Sequence, residues 1–112
     1  MRKLLILLAF ILGPTANAGE IFRDQAPQSQ LNITSATLVK PTSGMLVGFA
    51  VTVFGSGAGT INDAASTGAA AASNAMVATP TTASSTTYFP MQFKNGLVVV
   101  PGTGQTITVS YQ

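Results

Sequence analysis

Asn95-Gly96-Leu97-Val98-Val99-Val100-Pro101-Gly102-Thr103-Gly104-Gln105-Thr106-Ile107-Thr108-Val109-Ser110-Tyr111-Gln112 is the stretch on which the fold turns. Asn-Gly is a tight-turn dipeptide, because both residues accept left-handed backbone angles. Four apolar residues follow, and Pro101-Gly102-Thr103-Gly104 turns the chain again. From Thr106 the alternation is strict. Ile107, Val109 and Tyr111 fall on one face and Thr106, Thr108 and Ser110 on the other, which is the period of two of a strand. Turn, strand, turn and strand in so short a span leave no room for a helix.

The same grammar extends upstream. Residues 88–93 are strand-like, but Pro90 has no N–H to give a ladder and so marks an edge or a bulge. Residues 74–79 form a short strand closed by Pro80, and the Ser/Thr run 81–87 reads as a polar loop. Residues 45–54 form a longer strand in which strict alternation predicts Val47, Phe49, Val51 and Val53 on one face. The glycine-dense segment 55–59 and the strand from Thr60 to Asp63 complete a hairpin signal. Residues 33–39 are rich in β-branched types and stop at Lys40-Pro41, before a Ser43-Gly44 turn.

The alanine-rich residues 64–73 favour a helix on propensity alone, with Asp63 as its cap. They hold no large apolar residue to dock one, and Gly68 weakens it further. The expectation is a loop with one helical turn, its amides capped by Asp63. The fold class is therefore all-β, a small antiparallel β-sandwich or barrel of six to seven short strands over residues 33–112.

Two segments precede that domain. Residues 19–32 are polar and Gln-rich, interrupted by Pro27, and read as a flexible linker or as an extended arm reaching a neighbouring subunit. Residues 1–18 are signal-peptide-like: Arg2 and Lys3, an apolar run from Leu4 to Leu12, a Gly13-Pro14 break, and Ala16-Asn17-Ala18 as a peptidase site. The apolar run is short for a transmembrane helix, which needs about 20 residues. Transient membrane contact through residues 1–18 is consistent with it.

Composition narrows function. Only 7% of the 112 residues are charged, against about 25% in an ordinary domain. The formal charge of +2 comes from Arg2 and Lys3, since Arg23, Lys40 and Lys94 are matched by Glu20, Asp24 and Asp63. Such scattered cations do not make a nucleic-acid footprint. Cysteine and histidine are absent, which removes disulfides, thiolate metal sites and the commonest general base. A small domain without disulfides often relies on self-association.

No catalytic, cofactor-binding or metal-ligating residue is expected, and no cofactor. Lys40 and Lys94 sit beside turns, where a solvated lysine is the default. Glu20 and Asp24 lie in the arm, so Asp63 has no second carboxylate for paired acid–base work or calcium. The glycines at 55–59 lead into a strand without a following lysine, unlike a phosphate-binding loop. Asn32-Ile33-Thr34 matches a glycosylation sequon, a pattern too short to weigh. Phe49, Phe54, Tyr88, Phe89, Phe93 and Tyr111 read as core aromatics, with a carbohydrate platform at Tyr88 or Tyr111 as the minor alternative.

The order SGMLVGFAVTVFGSGAGTINDAASTGAAAASNAMVATP, then NGLVVVPGTGQTITVSYQ, covers most of residues 43–112. It resembles small structural virion proteins of tailed bacteriophages, of the head-decoration or head-fibre kind. That resemblance implies a β-fold displayed on a particle, partnering itself as a homo-oligomer such as a trimer and other virion proteins, with no catalytic residues. It implies a virion location. The signal-like start departs from the pattern, because tailed phages assemble in the cytoplasm. It reads either as an uncleaved hydrophobic arm or as the leader of a secreted or periplasmic adhesion or surface module.

Overall fold

A computed structural model describes residues 26–81 and 85–112, so the signal-peptide-like segment 1–18 and residues 19–25 of the expected arm lie outside the described residues. Eight strands succeed one another: β1 Gln28–Ile33, β2 Thr37–Lys40, β3 Gly44–Val53, β4 Gly59–Asp63, β5 Ala75–Thr79, β6 Ser85–Phe93, β7 Leu97–Val100 and β8 Thr106–Tyr111. They form two antiparallel four-stranded sheets, sheet A in the order β1-β8-β3-β6 and sheet B in the order β2-β7-β4-β5. The all-β expectation holds, as a sandwich and with more strands than expected. The run 33–39 is two strands: Ile33 closes β1 in sheet A, and β2 opens at Thr37 in sheet B. Of the stretch read as an arm, residues 28–32 are instead part of strand β1, which pairs along β8.

Strand pairs are nested: β4 with β5, β3 with β6, β2 with β7 and β1 with β8. Only β4 and β5 are both consecutive and paired. Every other connection crosses between sheets, as in a long hairpin rolled upon itself. Eight strands rolled into two sheets in this way make a jelly roll. The glycine-dense segment 55–59 is thus not a hairpin turn but an arch from sheet A to sheet B. It lies so close to the β7–β8 arch that a Cβ at Gly55 would overlap the Thr103 carbonyl, and one at Gly102 the Gly57 carbonyl. Glycine is required at both because backbone meets backbone there.

The core joins Ile33, Leu46, Phe49, Val51, Phe93, Ile107 and Val109 of sheet A to Ile61, Leu97 and Val99 of sheet B. Each such side chain contributes about 1.5–3 kcal/mol by leaving water. β8 alternates as its sequence indicates. β3 does not. Val47 is an extra residue against β8 between Leu46–Tyr111 and Gly48–Ser110, and Thr52 is another between Val51–Ile107 and Val53–Thr106. Each bulge resets the alternation, so Leu46, Phe49 and Val51 face the core while Val53 is 52% exposed.

Buried amides fasten the ends and one flank. Gln105 Oε1 accepts from the Thr79 hydroxyl at 2.8 Å and the Gly102 amide at 2.9 Å, and its Nε2 donates to the Pro80 carbonyl at 2.8 Å. Thr79 in turn accepts from the Gly59 amide at 2.9 Å. Gln105 thereby ties the β5–β6 and β7–β8 connections at one end, and Thr79 extends the link to the start of β4. On sheet B, Asn62 Nδ2 donates to the Ala71 carbonyl and to Asn74 Oδ1, both at 2.9 Å. The alanine-rich segment forms two short 3-10 turns, Thr67–Ala69 and Ala72–Asn74. It lies over the outer face of sheet B, where Asn62 and its ladder partner Val98 are fully buried.

Candidate functional site

Sheet A carries no charged residue in any of its four strands. Its outer face is ordered by the ladder. Residues paired across strands point to the same side, so Ser29, Ser110, Gly48 and Tyr88 form one transverse row. Thr108, Ala50 and Thr86 form the next, with Leu31 beside Thr108 where β1 bulges. Gly48 and Ala50 give the centre almost no side chain. The result is an open apolar trough of about 260 Å³ over β3 and β8, walled on one side by Tyr88. Glycine inside a strand signals a close approach or a bulge, and Gly48 is where the sequence could have disclosed this face. Its Cβ would come within 2.6 Å of the Thr87 carbonyl.

The aromatics divide. Phe49 and Phe93 are buried, and Phe89 and Tyr111 pack against the core, as their strand positions indicate. Tyr88 and Phe54 depart from core packing, at 77% and 58% exposure. Tyr88 sits on edge strand β6 opposite Gly48, on the side away from the core. Phe54 stands just past β3, where the chain leaves for sheet B. Of the two tyrosines weighed as a platform, only Tyr88 offers its ring to the surface.

All four edge strands are irregular. In β1, Leu31 and Asn32 oppose the single residue Thr108, and Asn32 takes a left-handed φ of 55°, which Asn tolerates. Phe89 and Pro90 in β6 oppose Val47. Val39 in β2 and Met76 in β5 are extra residues against their neighbours. Pro90 therefore occupies both an edge and a bulge. Such edges resist pairing with another chain's strand.

The three described charges, Lys40, Asp63 and Lys94, collect at the end of the sandwich where β2, β4 and β6 finish. A broad cleft of about 780 Å³ opens there, lined by Ser43, Met45, Asp63, Gln92, Lys94 and Gln112 among others. Asp63 does not cap the alanine-rich segment. Its carboxylate accepts the Lys94 amide at 2.9 Å and the Asn95 amide at 2.8 Å, fixing the β6–β7 turn, while the Ala64 amide donates to the Gly96 carbonyl at 3.1 Å. Partial desolvation pushes the Asp63 carboxyl upward, but the amides of Lys94, Asn95 and Gly96 outweigh it and hold it below its ordinary range. Among the described residues no group of three or more His, Cys, Asp or Glu converges. Among them, too, no helix is long and apolar enough to cross a membrane.

Compared with known proteins, the chain matches no protein-family model, no curated protein and no solved structure.

Proposed function

We propose that the chain is a structural subunit of a bacteriophage particle, decorating or fastening it through self-association, and that it is not an enzyme. The observation that carries this reading is the placement of charge. Among the described residues every charge lies at one end, and the rest of the surface is uncharged, mostly Ser, Thr, Ala, Gly, Asn and Gln with exposed apolar side chains such as Leu31, Val53, Phe54 and Tyr88 among them. Identical copies can then approach side by side without like-charge repulsion. The sequence resemblance of residues 43–112 supports the same reading. So does the rolled eight-strand architecture, which viral capsid domains share, although at the level of fold this is analogy.

The irregular edges direct how copies meet. Strand-to-strand addition is opposed at β1, β2, β5 and β6, so contacts between copies run through faces and ends. The first described residues lie beside Gln112, since Gln28 pairs with Tyr111. An attachment segment before β1 therefore leaves from the charged end and leaves the arches at 55–58 and 101–105 pointing away from it.

Sedimentation of the full chain, together with intact-mass analysis of purified native particles, tests the proposal. The expected result is a defined oligomer and a particle-bound chain that retains Met1. A monomer at the highest soluble concentration, absent from particles, overturns it. A chain starting at Gly19 and found outside particles supports the secreted or periplasmic module instead.

A further inference from the structure

We propose that the outer face of sheet A binds a neutral glycan, with one sugar ring seated over Gly48 and Ala50 and stacked against Tyr88. The inference does not depend on the particle role. Four observations converge on it.

The trough is concave and apolar at its floor, and at about 260 Å³ it is slightly smaller than the roughly 300–1,000 Å³ of pockets for drug-sized ligands. That size suits a single ring of a longer chain whose ends run out along the open sheet. Tyr88 is 77% exposed yet backed by the sheet, as an aromatic platform for the apolar C–H face of a sugar must be. The hydroxyl-bearing residues Ser29, Ser110, Thr108 and Thr86 border the trough, whose own surface is almost wholly apolar, so a sugar's hydroxyls would meet donors and acceptors at its rim rather than on its floor. Finally, no strand of sheet A holds a charge. The face thus suits an uncharged glycan and offers nothing to neutralise a uronate, sialate or phosphate.

The geometry disfavours the other occupants. A second copy meeting this face about a two-fold axis would set trough against trough and leave a void between them. An extended peptide adding a strand would meet the bulges of β1 and β6.

The test is titration of the full chain, labelled with 15N, with a panel of neutral oligosaccharides built from glucose, galactose, mannose and N-acetylglucosamine, alongside acidic counterparts. The expected outcome is saturable amide shifts confined to Ser29, Gly48, Ala50, Tyr88, Thr108 and Ser110 with at least one neutral member. Tyr88→Ala then weakens binding by at least about tenfold, and Tyr88→Phe retains it. Ala50→Leu, which fills the floor, abolishes binding while thermal unfolding confirms that the variant is folded. No saturable shift at these residues with any neutral member overturns the proposal, as does undiminished binding by Tyr88→Ala or preference for acidic sugars. Broadening of the same amides with protein concentration alone identifies the face as a contact between copies and equally overturns it.

Discussion

Asp63 is an acceptor whose two amide donors lie just beyond β6, far along the chain, and its replacement separates charge from shape. In Asp63→Asn the side chain keeps its size but loses the carboxylate that both amides address. The expected loss is about 1 kcal/mol, small because the site is partly solvated. Its folded pKa is depressed, so its contribution is fully present above the unfolded carboxylate range and fades as pH falls through the lower folded value. Thermal unfolding of the native chain should therefore weaken on acidification through that window, and the Asp63→Asn curve should be flatter there. A parallel pair of curves would remove Asp63 from the account. The sequence directs attention to Asp63 but to the wrong amides, because the neighbouring alanines are local and the β6–β7 turn is not. Asn62 and Gln105 give no signal at all: a buried amide looks the same in sequence as a solvated one.

Elements were legible where their alternation runs unbroken, as in β8, and illegible where a bulge resets it. Val47 and Thr52 in β3 are ordinary strand residues by propensity, so nothing local announces that they are the extra ones. Likewise residues 55–59 carry the composition of a hairpin turn. Only the pairing of β4 with β7 and β5, which is long-range, makes them an arch. Gln105 ties two connections together, β5–β6 and β7–β8, and Gln105→Ala removes a partner from the Gly102 amide, the Pro80 carbonyl and the Thr79 hydroxyl. The expected cost is about 1–3 kcal/mol in denaturant unfolding, chiefly from the buried Thr79 hydroxyl, since Pro80 is exposed and Gly102 half-buried. Pro90 acts at the opposite kind of place, an exposed edge. Pro90→Val restores a backbone donor on β6, and light scattering on warming should show earlier aggregation than for the native chain. Unchanged scattering would mean that the bulge alone protects this edge.

At the scale of the molecule, the collection of the described charges at one end has a measurable signature. Association through uncharged surfaces should change little between low and high salt, whereas association through the Lys40, Asp63 and Lys94 end should weaken, since salt screens exposed charges over about 10 Å at 0.1 M. Sedimentation across that range distinguishes the two, and dissociation by salt would move the contact to the charged end. The all-β class was readable from the alternation and the turn residues, as in 106–111. The roll of the sheets was not, because it is a property of which strands meet. Nor was the trough, which depends on Gly48 falling in register between Ser110 and Tyr88.

The nesting of strand pairs also sets an order in time. β4 reaches β5 across one short connection, but β1 and β8 stand at opposite ends of the domain, and closing a longer loop costs more entropy. Each inner pair, once formed, shortens the effective loop of the next, so the roll grows outward from the β4–β5 hairpin and β1 docks last. Pulse-labelled hydrogen exchange should find the β1 amides protected after those of β4 and β5, and early protection of β1 would refute this order. The last strand to arrive is the one that follows residues 1–27, so tethering the chain through those residues should slow the step that completes the sandwich.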